Sequence, residues 1–145
     1  MGAEVLIASL LSVAKDDLEA ARRLSSPVNR NAIYHCEQAA EKIIKAVLTS
    51  EGIHAGVRHQ LSEMVDSIPD ANPVKPTLRA IEDLQAYATT YRYPTAGGRI
   101  PHSPDQQAVL AAATKVETAL AIVAARFGVD LSKANAPAAN ATPIR

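Results

Sequence analysis

Apolar positions step through the start of the chain in threes and fours. Leu6, Leu10, Val13, Ala21 and Leu24 share a stripe that includes one polar position, Asp17, which predicts an amphipathic helix over about 3–24. Ser26-Pro27 breaks it, and a neighbouring Ser or Asn29 is a candidate N-cap for the next helix. Ile33, Cys36, Ala40, Ile43, Val47 and Leu48 then make a second stripe, a helix over about 28–51, with Gly52 where a left-handed C-terminal cap wants glycine. A short third helix is expected over His59 to Ile68, stopped by Pro69. Asn72-Pro73 and Pro76 open a fourth, whose face is Leu78, Ile81, Leu84, Ala88 and Tyr91.

Between Arg92 and Ser103 the period fails, because Pro94, Gly97, Gly98 and Pro101 interrupt regular helix. Ser103-Pro104-Asp105-Gln106 reads as a capping box with Ser103 at the N-cap. The final helix carries Val109, Ala113, Val116, Leu120, Val123 and Phe127 on one face and stops at Gly128. The expected fold is all-α: an antiparallel up-and-down bundle of four long helices and one short one. The bundle should occupy residues 1–131, with 132–145, rich in Ala, Asn and Pro, as a disordered tail.

The chain has 145 residues, and its 15 Lys+Arg balance 15 Asp+Glu. That balance argues against broad, non-specific nucleic-acid binding but allows a local basic site. A single cysteine, Cys36, excludes an internal disulfide and a multi-Cys zinc site. His54 and His59 have no acid or Cys close in sequence, so no metal site is expected. The apolar run Val5 to Leu11 is too short to span a bilayer, and it lacks the flanks of a signal peptide. A cytoplasmic protein without membrane contact is expected.

Candidate chemistry gathers between Tyr87 and His102. Tyr91, Arg92, Gly97, Gly98 and Arg99 are the parts of an anion or nucleotide site. Arg grips phosphate bidentately, glycine lets backbone N–H groups approach an anion, and Tyr stacks a base. The plainer alternative is a loop that closes one end of the bundle over packed tyrosines. On the second helix, Lys42 or Lys45 could face a phosphate, although Glu41 and Lys45 also form an i,i+4 pair. His35 is expected to pack or cap.

Four segments carry a resemblance: Asn31-Ala-Ile-Tyr-His-Cys-Glu-Gln-Ala-Ala-Glu-Lys-Ile-Ile-Lys-Ala-Val-Leu48, Ala14-Lys-Asp-Asp-Leu-Glu-Ala-Ala21, Arg58-His-Gln-Leu61 and Tyr91-Arg-Tyr-Pro94. Together, over about 3–127, they resemble the HEPN family (higher eukaryotes and prokaryotes nucleotide-binding domain). The resemblance implies a helical bundle, commonly a homodimer, often encoded in bacterial operons beside a minimal nucleotidyltransferase. It further implies either a non-catalytic nucleotide- or partner-binding module, as in a toxin–antitoxin pair, or a metal-independent ribonuclease toxin. The ribonucleases of the family use an Arg and a His a short spacing apart, late in the chain, paired across a dimer. Arg30 and His35 have the spacing but open the second helix, and five residues of helix turn about 500°, so the two side chains would diverge. Arg92 and His102, the remaining catalytic candidates, are too far apart in sequence. The binding module is therefore the expected function and the ribonuclease the alternative, with no cofactor beyond a nucleotide such as ATP or GTP.

Overall fold

The computed structural model describes residues 2–57 and 60–133. Three long helices make the frame: α1 (Gly2–Arg23), α2 (Ala32–Ser50) and, after two short helices α3 (Leu61–Asp66) and α4 (Lys75–Arg79), α5 (Gln106–Phe127). Among the described residues there is no strand, and the class is all-α as the periodicity predicts. The stripes read from sequence for α2 and α5 form the core, but that of α1 is displaced: Leu6 and Val13 are exposed, and the helix buries Ile7, Leu11, Ala14 and Leu18 beside Ala21. Leu11, Ile33, Ile43, Ile44 and Leu48 are fully buried, and so are Val109, Val116 and Val123. By length and composition α5 could cross a membrane, but its apolar stripe packs into this core.

The expected fourth long helix is not one helix. It divides into α4 and a 3-10 segment, Glu82–Tyr87. Leu78, Ile81 and Leu84, all buried, are spaced strictly by three, which suits a 3-10 turn as well as an α-helix. The bundle thus has three long helices, not four. Gln85 in this segment turns back, and its Oε1 accepts the Leu61 N–H at 2.6 Å, supplying the first turn of α3 with a partner.

Helix boundaries also move. α2 begins at Ala32 with Asn31 as N-cap, while Asn29 Oδ1 accepts the Asn31 N–H at 2.8 Å in the approach to the helix. α5 begins two residues later than the capping-box reading gives. Its N-cap is Asp105, whose carboxylate accepts the Ala108 N–H at 2.8 Å, and Ser103 instead donates to the Pro104 carbonyl. At the other end Gly128 has φ of 66°, the left-handed cap expected there. The chain then folds into a 3-10 turn, Leu131–Lys133, where Leu131 packs on the core and its carbonyl accepts Lys15 Nζ at 3.3 Å. Ser132 and Lys133, expected in the tail, belong to this turn; 134–145 lie outside the described residues.

Candidate functional site

α1 and α2 pack as a pair, and their shared polar edge is organised by one carboxylate. Asp17, mostly shielded from solvent, sits beside the buried stripe of α1, where its carboxylate meets α2. Its Oδ1 lies 3.1 Å from His35 Nδ1, and its Oδ2 accepts from Lys42 Nζ, two turns further along α2. His35 is therefore bonded through Nδ1 to Asp17 rather than serving as a helix cap. Lys42 is tied to the same acid instead of facing outward for a phosphate.

One residue before His35, Tyr34 presents its ring to two groups. His35 meets it edge-on, with centroids 5.7 Å apart, and the Arg92 guanidinium lies over its face at 3.9 Å. Arg92 also stands 5.1 Å from the Tyr93 ring, so two tyrosines flank the cation. Its hydrogen bond is to a neutral group, the Ala88 carbonyl at 3.2 Å. Behind it Tyr87 and Tyr91 stack at 5.7 Å.

The segment after Arg92 is strapped to the same end of the bundle. Arg30 Nη1 donates to the Pro101 carbonyl at 3.0 Å, which ties the approach to α2 to the approach to α5. Arg30 thus lies before α2, and it and His35 serve different partners. Gly97 and Gly98 close a turn: Gly98 N–H donates to the Thr95 carbonyl at 2.8 Å with φ of 84°, and the Arg99 carbonyl accepts the Thr95 N–H at 2.7 Å. The Gly98 N–H is consequently engaged within the turn. Arg99 and His102 are exposed on the strap.

Charge in this neutral chain is segregated. Residues 22–35 and 92–106 carry Arg22, Arg23, Arg30, Arg92 and Arg99 against one acid, Asp105. Arg22 is neutralised from outside these segments by a bidentate pair to Glu117 on α5, at 2.6 and 2.7 Å. The others have no carboxylate partner among the described residues. The outcome is a basic, tyrosine-rich bundle end with Tyr93 and Ile100 more than half exposed.

Not every expected site residue joins it. Lys45 lies three turns along α2 from Tyr34, roughly 16 Å away by helical rise, where its Nζ binds Glu41 Oε2 at 2.7 Å. There it edges an open apolar groove of about 400 Å³ between Leu6 and Leu10 of α1 and the segment around Ile53. The i,i+4 pair is the one read from sequence, but Glu41 is buried, not solvated. Arg92 meets Tyr34 and Tyr93, whereas His102 makes no contact of this kind among the described residues. His54 Nδ1 accepts the Gly56 N–H at 3.0 Å, and Arg58 and His59 lie outside the described residues. Sequence reasoning misses the coupling of Asp17 to His35 and of Tyr34 to Arg92. The one signal for the first is a lone acid within the apolar stripe of α1.

The sequence model of the HEPN domain matches residues 7–125 of the chain. No curated protein and no solved structure matches it.

Proposed function

The chain belongs to the HEPN domain family, and from that premise we propose that it is a nucleotide-binding module whose ligand sits on the basic bundle end. The observation that carries this is Arg92: a guanidinium stacked on Tyr34, flanked by Tyr93, and without a carboxylate partner among the described residues. Arginine in that state has bidentate capacity to offer a phosphate. Arg30 and Arg99 lie on the segments that meet there, and the exposed Tyr93 ring offers a base a stacking face.

The module acts with a separately encoded minimal nucleotidyltransferase, in an arrangement like a toxin–antitoxin pair, and as a homodimer. Support for a macromolecular partner is the composition of the same end, where Arg30, Arg92 and Tyr93 are residue types that anchor interfaces and Ile100 is exposed beside them. Light scattering checks the dimer, expected at twice the 15.3 kDa chain mass. The bacterial and cytoplasmic setting belongs to the same proposal.

The test is thermal stability with ATP, GTP or pyrophosphate. Binding to the native state raises the melting temperature by mass action, by the equivalent of about 2.7 kcal/mol at a hundredfold excess over Kd. No shift with any of the three at millimolar concentration overturns the site. Labelled RNA in EDTA separates the alternative. Intact RNA is expected, and cleavage that Arg92→Ala or His102→Ala abolishes would make the protein a ribonuclease.

A further inference from the structure

Asp17 does more than hold α1 to α2: it determines what His35 can do. A carboxylate only accepts hydrogen bonds, so the bond between Asp17 Oδ1 and His35 Nδ1 puts the proton on Nδ1. In the neutral ring Nε2 then carries the lone pair. Lys42 donates to the second oxygen, so both oxygens of Asp17 are engaged and the carboxylate is held in place, as an orienting acid is for other histidines. Nε2 has no partner among the described residues, and 30% of the His35 side chain remains exposed. The result is an oriented hydrogen-bond acceptor beside a site otherwise made of donors.

Its position relative to Arg92 is fixed by one ring. The His35 ring lies 5.7 Å from the Tyr34 centroid and the Arg92 guanidinium 3.9 Å over it, so one tyrosine adjoins both the imidazole and the cation. A nucleotide presents two matching groups a few bonds apart, a phosphate that needs a donor and a ribose hydroxyl that needs an acceptor. Arginine, lysine and backbone N–H groups cannot accept from a hydroxyl; His35 Nε2 can.

We propose that His35, oriented by Asp17, accepts a hydrogen bond from the ribose 2′-hydroxyl of a nucleotide whose phosphate is held by Arg92, so that the site selects ribonucleotides over deoxyribonucleotides. This rests on the nucleotide-binding function proposed above and adds its sugar specificity. The 2′-hydroxyl is the group by which a protein tells the two sugars apart. Asp17 is here a positioning residue, since it acts through the imidazole.

The experiment is calorimetric titration of the full chain with ATP and with 2′-deoxy-ATP. Wild type is expected to bind ATP about fivefold more tightly, the worth of one hydrogen bond. His35→Ala should weaken ATP to the deoxy level and leave deoxy-ATP unchanged, while Arg92→Ala should weaken both together. Asp17→Asn, which no longer demands a proton on Nδ1, should reduce the ATP to deoxy-ATP ratio without abolishing binding of either. Equal binding of the two nucleotides by wild type overturns the inference and leaves the nucleotide site standing. So does a preference that survives in His35→Ala. Binding of neither nucleotide removes the site itself.

Discussion

The two ends of α2 hold similar side chains in opposite circumstances. At the C-terminal end Lys45 is matched by Glu41 at 2.7 Å, and the neighbouring surface is an apolar groove. At the N-terminal end Arg92 lies on Tyr34 with a backbone carbonyl as its hydrogen-bond partner, and Arg30 likewise bonds a carbonyl. A cation with a carboxylate in contact has its charge spent locally, whereas one that meets only rings and carbonyls still attracts an anion. What marks the candidate site is therefore the missing counter-ion, not the presence of charge. A composition of net zero conceals that distinction completely.

The difference between the ends depends on α2 being one rigid rod, and the largest expected effect comes from weakening its middle. Ile43 and Ile44 are fully buried, so Ile43→Ala or Ile44→Ala should destabilise the fold by about 2–5 kcal/mol in urea unfolding. A loss under about 1 kcal/mol would mean that the helix is packed less tightly than its burial shows.

Next in size is the direct contrast. Arg92→Ala should weaken ATP binding at least about tenfold, by removing a charged partner of phosphate, whereas Lys45→Ala should leave it within about twofold. Equal losses from the two variants would erase the distinction between the ends.

How far the sequence speaks to these ends differs too. Periodicity finds α1, α2 and α5 as helices and the buried faces of α2 and α5, and Gly128 marks the end of α5 through a conformation glycine favours. Periodicity puts the face of α1 on Leu6 and Val13, however, because apolar residues crowd that helix on both sides. It fails at residues 75–87, where strict spacing by three fits two kinds of helix. It misplaces the start of α5 because Ser103 and Asp105 are both good caps and only geometry selects between them. For the site, the segment Tyr87–His102 is legible as an aromatic and basic cluster. Its floor is not, since Tyr34 and Arg92 are distant in sequence and no local pattern couples them. Lys45 enters the expected site because a lysine on a helix looks the same in sequence whether or not a buried acid neutralises it.

A smaller effect sharpens the comparison with an arginine that is satisfied. Arg22 grips Glu117 through two bonds and holds its carboxyl below the ordinary value of 4.5. Because the folded value is the lower one, the pair stabilises the native state above about pH 4.5, and that contribution is lost as pH falls through the folded value. Both side chains are 40% exposed, so the contribution is below about 1 kcal/mol. Glu117→Gln should lower the urea midpoint slightly at about pH 6, converge with wild type as the pH falls through the folded value, and leave ATP binding unchanged. A midpoint difference that persists at the acid end would show that the carboxylate charge is not its source.

The smallest effect is an expected silence. Burial pushes the Cys36 thiol up to about 12, so the native protein at about pH 8 should not react with a disulfide reagent until it unfolds. Rapid labelling of the folded chain would place α2 in a looser packing.

The gathering of Tyr87, Tyr91 and Tyr93 with Tyr34 has an optical consequence. The chain has four tyrosines and no tryptophan, and all four stand at the basic end. Its near-ultraviolet circular dichroism and its intrinsic emission therefore report on that end, while the groove at the far end of α2 is dark. A ligand that displaces Arg92 from Tyr34 would announce itself in the spectrum with no label attached, and an event at the groove would pass unseen.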